Sequence, residues 1–239
     1  MQHHYKIYAD FKEQGVTQRQ GTGFFVKSPI TGEIYFITNA HVASCNGIKA
    51  YGCTITYFQG GHNYKGGAAA EVLDFKEDSA YHSFQNDKNI AFHTDIAVLK
   101  ITQKYSENFE IHPLEISRTY TNQEKVSISG FAEGILKTIK GVFYCNDEQA
   151  AVISQNLLKG GSSGAPVLNS KNQVIALHHR GPGAKFDHIN LELIAIQGKD
   201  NFTHSYTDVD KPGTLPVQSI CMPAGKILSF LKSSPHIHF

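Results

Sequence analysis

A run of small residues around Ser163 is the strongest candidate for a nucleophilic site. The sequence Gly-Gly-Ser-Ser-Gly-Ala-Pro covers residues 160–166 and leads directly into the strand-like Val167-Leu168. A tight turn of this kind exposes a hydroxyl, and its glycines permit unusual backbone angles. They also let a substrate carbonyl approach the backbone N–H groups of Gly161 and Ser163, which would serve as oxyanion donors. A Gly/Ser surface loop is at least as good an interpretation of this segment by itself.

The second candidate is His41, in the segment Ile-Thr-Asn-Ala-His-Val of residues 37–42. An imidazole near neutral pH can take the proton of a serine hydroxyl and later deliver it to a departing amine. Few other side chains do this without a large shift of their pKa. Since a single histidine beside a strand is more often structural, His41 gains significance only together with Ser163.

Asp95 is the third candidate, because it stands immediately before the apolar run Ile-Ala-Val-Leu of residues 96–99. A carboxylate in that place can be partly buried and accept a hydrogen bond from an imidazole. It would fix the tautomer and orientation of His41 and would not itself take the proton. The alternative is an aspartate that only begins a strand or forms a turn.

Short β-like runs fill the regions on either side of a more polar stretch at residues 103–124, which predicts two packed barrels. These runs are rich in β-branched and aromatic residues and are punctuated by Gly, Pro and Asn. The predicted strands of the first region cover residues 23–26, 34–38, 55–58 and 95–99. Those of the second region cover residues 125–129, 141–144, 151–153, 166–168 and 174–177.

The pattern therefore predicts an N-terminal barrel within residues 1–110, carrying His41 and Asp95, and a C-terminal barrel within residues 111–239, carrying Ser163. Together they would form one unit. Apolar residues at helical spacing predict a short C-terminal helix within residues 223–232.

Two glycine-rich segments, residues 60–67 and 180–183, are predicted to be loops. The final His236-Ile237-His238 is predicted to be a mobile tail.

Charge and hydropathy exclude several classes of partner. The 22 basic and 21 acidic residues give a net charge of +1 without any run of Lys or Arg, so we expect no nucleic-acid or anionic-membrane partner. The longest apolar stretches are strand-sized, well short of the roughly 18 residues that span a bilayer. The N-terminal residues 1–6 lack the apolar core of a secretory signal. These features predict a soluble protein.

Four cysteines, at positions 45, 53, 145 and 221, are too few for a disulfide scaffold in a chain of this length. They are interpreted first as ordinary thiols. A bridge between Cys45 and Cys53, which would close a loop just after His41, stays open as the alternative.

Four motifs together closely resemble the trypsin-like serine peptidase family. They are Gly-Thr-Gly-Phe at 21–24, Thr-Asn-Ala-His-Val at 38–42, Asp-Ile-Ala-Val-Leu at 95–99 and Gly-Ser-Ser-Gly-Ala-Pro at 161–166. Each motif is moderately specific, and their order of His, Asp and Ser makes the match strong. The chain is closest in style to bacterial glutamyl endopeptidases and Deg/HtrA-type proteases.

This resemblance implies an all-β fold of two packed, six-stranded antiparallel β-barrels with the triad between them. It implies a serine endopeptidase that hydrolyses protein or peptide substrates through an acyl-enzyme, without a metal or an organic cofactor. Ser162 stands where digestive members carry the aspartate that pairs with a newly cleaved N-terminus, so a trypsin-like zymogen mechanism is not expected.

The resemblance also implies a specificity pocket bordered by residues 174–181, because glutamyl members place a histidine at the position matching His178. A protonated imidazole there would bind a Glu side chain on the acyl side of the scissile bond. The residues His179, Arg180 and Gly181 would present the peptide-binding edge. Arg180 is a weaker second candidate for the carboxylate, and a packed structural role for His178 is an equal alternative.

Two other functions compete with this interpretation. A metal site at His178, His179 and His188 is disfavoured, because no Cys-x-x-Cys or His-Glu-x-x-His pattern occurs and adjacent strand residues point to opposite faces. A catalytically silent binding module could keep the peptidase architecture. The complete set of Ser163, His41 and Asp95 argues against that alternative.

Overall fold

Strands dominate the computed structural model of this chain, as the sequence predicted. The structure describes residues 3–11, 18–60, 63–77, 94–145, 150–154, 158, 160–180 and 217–239.

The first barrel is built in the N-terminal half of the chain. Its elements are β1 (His3–Asp10), β2 (Gln18–Lys27), β3 (Ile34–Thr38), α1 (Ala40–Ala43), β4 (Ser44–Cys45), β5 (Ile48–Lys49), β6 (Gly52–Gln59), β7 (Asn63–Glu77) and β8 (Asp95–Lys104). Six of the strands close into an antiparallel barrel in the order β1-β2-β3-β8-β7-β6, while β4 and β5 pair only with each other. Alternate side chains of β1, namely Tyr5, Ile7 and Ala9, point into the barrel core.

The second barrel repeats this plan in the C-terminal half. Its strands are β9 (Glu124–Ala132), β10 (Ile135–Cys145), β11 (Ala150–Ser154), β12 (Pro166–Leu168), β13 (Val174–Arg180) and β14 (Val217–Pro223). They close in the order β10-β11-β14-β13-β12-β9 around a core that includes Ile128, Phe143 and Val152. The predicted fold of two six-stranded antiparallel barrels is confirmed.

A third apolar cluster lies between the barrels. Phe24 and Ile37 of the first barrel pack there with Leu177 of the second, whereas Phe25 and Phe36 point into the first barrel. Strands β2 and β3 therefore bury both faces, which explains why their sequences are continuously apolar instead of alternating. This packing fixes the position of one barrel relative to the other.

The connection between the barrels adds two isolated parallel bridges, Val26 to Leu114 and Ile116 to Val174. Strands of the first barrel end at Lys104, and those of the second begin at Glu124. The division of the chain at residue 110 stays a prediction.

The predicted C-terminal helix is confirmed as α2 (Ala224–Ser233), which begins directly after Pro223. The prediction of a mobile tail after it is wrong. Ile237 is only 4% exposed and joins the cluster between the barrels. In addition, the Ser28 hydroxyl donates to the carbonyl of His238 over 2.5 Å. Ile237 is apolar and lies close enough to α2 to reach this cluster, and its burial there anchors the tail.

The loop predicted at residues 60–67 is also wrong in part, because β7 begins at Asn63. Gly66 and Gly67 pair with Tyr57 and Thr56 of β6, next to an irregularity in the register. A β-bulge of this kind accepts a glycine, and here the neighbouring strand outweighs the local composition. In the other predicted loop, residues 181–183 lie outside the described part of the chain.

All four cysteines are buried free thiols, so the alternative of a Cys45–Cys53 bridge is not realised. Among the described residues, no helix is long and apolar enough to cross a membrane.

Candidate active site

His41 is carried by the single turn α1, directly after β3. The N–H groups of Val42 and Ala43 donate to the carbonyl of Asn39, which turns the chain sharply at the end of the strand. Ala40, Val42 and Ala43 are buried, and the side chain of His41 is 19% exposed. Three apolar anchors thus hold the turn in the barrel and direct the imidazole toward the surface.

Asp95, the first residue of β8, binds His41 at two points. Its Oδ1 accepts the backbone N–H of His41 over 2.9 Å, and its Oδ2 accepts the Nδ1–H over 2.6 Å. The side-chain amide of Asn39 donates to the Asp95 carbonyl over 2.9 Å. With its proton on Nδ1, the imidazole has its basic lone pair on Nε2.

The carboxylate of Asp95 is ionised despite its burial. Desolvation alone would raise its pKa, since the side chain is only 1% exposed. The nearby charge of His41 and the two hydrogen bonds outweigh desolvation and lower the pKa from 3.8 to about 2. Asp95 is therefore an anion throughout the neutral range.

Ser163 lies in a turn that backbone hydrogen bonds hold between the two barrels. Its carbonyl accepts the N–H of Thr22 over 2.8 Å, and the next N–H, of Gly164, donates to the carbonyl of His178 over 2.9 Å. The Ser163 hydroxyl donates to the carbonyl of His179 over 3.1 Å. Within the described part of the chain, no hydrogen bond joins Ser163 to His41, as is common in a catalytic site without substrate.

Two glycines of the turn have conformations that exclude other residues. Gly161 has φ +97°, and a Cβ there would collide with the carbonyl oxygen of Phe131. Gly164 has φ +88°, and a Cβ there would collide with the backbone of Thr22 and the hydroxyl of Thr38. The turn around Ser163 therefore depends on glycine, as the sequence predicted.

The N–H groups of Gly161 and Ser163 make no hydrogen bond to any described residue. Elsewhere in the turn, the neighbouring N–H groups of Gly164 and Ala165 donate to carbonyl oxygens. Two backbone donors are thus available beside the Ser163 hydroxyl.

His178 and His179 point to opposite sides of β13, as expected for neighbours on a strand. His178 is fully buried, and its Nε2 is 3.2 Å from the hydroxyl of Ser162 in a hydrogen bond. Burial lowers the pKa of His178 to about 3, with further contributions from the charges of His179 and His41. At neutral pH its imidazole is uncharged when no substrate is bound. The protonated state expected from the sequence is that of a complex with a Glu side chain, and it stays a prediction.

His179 faces the other way, with its Nδ1 3.6 Å from Oδ2 of Asp95. The structure thus brings His179 to both Asp95, through its side chain, and Ser163, through its carbonyl. Arg180 is the last residue of β13, and its side chain lies outside the described part of the chain, as do Gly181 and His188.

Sequence reasoning assigned no role to Thr22, although it lies in the Gly-Thr-Gly-Phe motif. Its hydroxyl donates to the carbonyl of Gly161 over 2.9 Å and accepts the N–H of Phe131 over 2.9 Å. Thr22 thereby attaches strand β2 of the first barrel to the turn of Ser163 in the second.

A second residue without an assigned role is Arg19, also on β2. Its guanidinium donates to the carbonyl of His41 over 2.5 Å. Apart from the glycine motif, which contains Thr22 and follows Arg19, no sequence pattern indicates a role for either residue.

No group of three or more metal-ligating side chains is found in the residues that the structure describes. His178 and His179 cannot ligate one ion together from opposite faces of β13.

Comparisons with known proteins agree with this fold. Residues 21–177 match the family model of the trypsin-like peptidase domain, which includes His41, Asp95 and Ser163. The HtrA-type protease AlgW with a tripeptide has a similar structure, with a TM-score of 0.59 and 13% identity over 96% of this chain. This chain spans 59% of the length of AlgW.

The Rv3671c protease from M. tuberculosis, in its active form, is similar with a TM-score of 0.57 and 16% identity. That match covers 98% of this chain and 82% of Rv3671c. At these identities the structural likeness shows the fold alone, while the family model covers more than half of the sequence. The chain belongs to the trypsin-like peptidase domain family.

Proposed function

We propose that the chain is a serine endopeptidase in which Ser163 is the nucleophile, His41 the general base and Asp95 the residue that orients His41. The observation that supports this most is the double hydrogen bond from His41 to the buried carboxylate of Asp95. It fixes the imidazole in the tautomer that a general base needs. The turn that carries Ser163 is held by both barrels.

The reaction begins with a rotation of the Ser163 hydroxyl from the carbonyl of His179 toward Nε2 of His41. The hydroxyl oxygen then attacks the carbonyl carbon of the scissile bond, and its proton passes to Nε2. The C–N bond breaks as His41 gives this proton to the departing amine, which leaves an ester on Ser163. Water attacks the ester, His41 again transfers the proton, and the free hydroxyl is regenerated.

The negative charge that develops on the substrate carbonyl oxygen would be received by the N–H groups of Gly161 and Ser163. Two donors fixed in this way need no reorganisation when the charge appears, so they stabilise the transition state more than water does. All the groups required are supplied by the chain. We therefore expect no metal or organic cofactor, and chelation should leave the rate unchanged.

The substrate would bind along the end of β13. Pairing between β12 and β13 stops at Pro166 and Leu177, so the following residues of β13 extend beyond β12. His179, Arg180 and Gly181 would pair there with the substrate backbone as an added strand.

The finer proposal is a preference for Glu on the acyl side of the scissile bond, with His178 as the group that recognises it. Because His178 is neutral in the unliganded site, a bound carboxylate would have to bring a proton with it. The resulting imidazolium and carboxylate would form a charge-assisted hydrogen bond. Binding of Glu is then coupled to proton uptake.

A fluorophosphonate probe tests the assignment, since it labels only an activated serine. We expect stoichiometric labelling that is lost in Ser163→Ala, together with cleavage of a peptide library. If the folded chain takes no label while a control protease does, the chain is a catalytically silent binding module and the proposal is wrong.

A further inference from the structure

The helical turn that carries His41 is held at its carbonyl end by Arg19. Nη1 of Arg19 donates to the carbonyl of His41 over 2.5 Å and to that of Ser44 over 2.8 Å. Nη2 lies 3.0 Å from the thiol sulfur of Cys45. The guanidinium carbon also lies 5.5 Å from the centre of the Phe11 ring, which gives a favourable cation–π contact.

These contacts matter because α1 has only four residues and is too short to be stable by itself. A helix of this length leaves most of its terminal carbonyls without a partner inside the helix. The carbonyl of Ala43 accepts the N–H of Ala50, and that of Ala40 accepts the Ser44 hydroxyl. Arg19 binds the carbonyl of His41 and that of Ser44, the residue that follows α1.

His41 is consequently held from two opposite sides. On one side, Asp95 accepts the backbone N–H and the Nδ1–H of His41. On the other side, Arg19 donates to the carbonyl of the same residue. The two anchors lie on different strands of the first barrel, β8 and β2, so the position of the imidazole depends on both.

We infer that Arg19 is a positioning residue for the general base, which acts by fixing the backbone of His41 and has no contact with the substrate. This inference rests on the proposed function of His41. The planar guanidinium suits the role because it presents several donors in a fixed fork, whereas the ammonium of a lysine is a single point on a flexible stem. Lysine would keep the charge and lose the geometry.

Kinetics of Arg19→Lys and Arg19→Ala test this inference, with rates expressed per site titrated by the fluorophosphonate probe. A displacement of a catalytic group by 1 Å can cost about 100-fold in rate. We expect kcat to fall about tenfold in Arg19→Lys and about 100-fold in Arg19→Ala, with KM within about twofold of the wild type. Methylguanidine, which restores the planar donors, should recover part of the kcat of Arg19→Ala. Arg118→Lys, the control at an exposed arginine, should keep the wild-type kcat with or without methylguanidine.

If kcat per titrated site is unchanged in Arg19→Lys, Arg19 only stabilises the fold and the inference is overturned. The same conclusion follows if methylguanidine restores nothing in Arg19→Ala. Should Arg19→Ala not fold, Arg19→Lys carries the test, because it keeps the charge and the aliphatic stem.

A second measurement does not depend on activity. The Nδ1–H of His41 in its 2.6 Å bond to Asp95 should give a far-downfield proton resonance, assigned by its loss in His41→Ala. We expect it to shift upfield or broaden in Arg19→Lys and to stay in place in Arg118→Lys. An unchanged resonance in Arg19→Lys overturns the inference even if the wild-type chain proves inactive, while wild-type inactivity alone overturns only the proposed function.

Discussion

The Ser163 hydroxyl donates its hydrogen bond to the carbonyl of His179, over 3.1 Å, and not to the His41 imidazole. That carbonyl lies at the end of β13, where a substrate strand is proposed to pair. Under the proposed mechanism, the Ser163 hydroxyl must leave this acceptor and turn toward His41 before it attacks a substrate.

The first prediction concerns the interdependence of Ser163 and His41. Ser163→Ala should lower kcat by about a million-fold, and His41→Ala by a similar factor. The reason is that the attack by Ser163 and the proton transfer by His41 belong to the same step. The double variant should be no worse than either single variant. Turnover of a cleaved peptide, measured with preparations free of contaminating protease, checks this.

Additive losses in the double variant would mean that the two residues do not act as a unit. Substantial activity in Ser163→Ala would remove Ser163 as the nucleophile.

The second prediction concerns the backbone at Gly161. Gly161→Ala should lower kcat by roughly 100- to 1,000-fold, the loss typical of one oxyanion donor. The added Cβ meets the carbonyl of Phe131 at a φ of +97°, so the peptide must rotate and redirect its N–H. Gly160→Ala is the matched control, because a Cβ at Gly160 meets nothing within 4 Å.

Peptide turnover and thermal unfolding of both variants separate the effects on rate and fold. Equal rates in the two variants would argue against Gly161 as a donor.

The sequence was sufficient to predict the strands whose composition is distinctive. Continuous apolar runs at β2, β3 and β8 identify strands, and the motifs predict a contact between His41 and Asp95, whose Nδ1 and Oδ2 atoms lie 2.6 Å apart. Strand β7 was missed where Gly66 and Gly67 interrupt the pattern, since its pairing with β6 is a property of the neighbouring strand.

Other features of the site depend on contacts between distant segments, which single-residue patterns do not contain. Arg19 and Thr22 bind backbone carbonyls that are remote in sequence, and a carbonyl carries no sequence signal. The alternation of β13 predicted that His178 and His179 diverge, but the face that each one takes depends on the register of β13 with β12 and β14.

The third prediction is an acid-sensitive contribution of His178 to stability. The pKa of His178 is about 3 in the folded chain and 6.5 in an unfolded one. Between these pH values, His178 therefore binds a proton in the unfolded state and not in the folded state. The free energy of unfolding should fall as the pH is lowered from about 6.5 toward 3, by up to about 1.4 kcal/mol per pH unit from this residue. His178→Leu should flatten that slope, whereas His236→Leu, at an exposed histidine, should not.

Urea unfolding at a series of pH values measures the slope. An identical slope in His178→Leu and the wild type would show that the pKa of His178 is the same in the folded and unfolded states.

The fourth prediction concerns the C-terminal tail. Ile237→Ala should lower the free energy of unfolding by about 2–5 kcal/mol, the range for truncating a buried isoleucine, because Ile237 fills the cluster between the barrels. Ile30→Ala, at a side chain that is 76% exposed, should change it by less than about 0.5 kcal/mol. Urea denaturation measures both variants. If they are equally stable, the tail is not docked in the cluster between the barrels.

The last prediction concerns the pH dependence of the Glu preference. In solution a Glu side chain is ionised above a pH of about 4.3, and His178 in the unliganded site is neutral above its pKa of about 3. The bound pair needs one proton to avoid an unbalanced buried charge, and that proton must come from solvent.

For this reason, kcat/KM for a Glu peptide should fall relative to that of the matched Gln peptide by about tenfold per pH unit between about pH 5 and 8. Any pH dependence that the two peptides share cancels in the ratio. In His178→Ala the ratio should lose most of this dependence, because no imidazole remains to share the proton. Paired kinetics with the two peptides at each pH provide the measurement. A ratio that is independent of pH, or that His178→Ala leaves unchanged, would exclude His178 as the carboxylate partner and leave the roles of Ser163 and His41 unaffected.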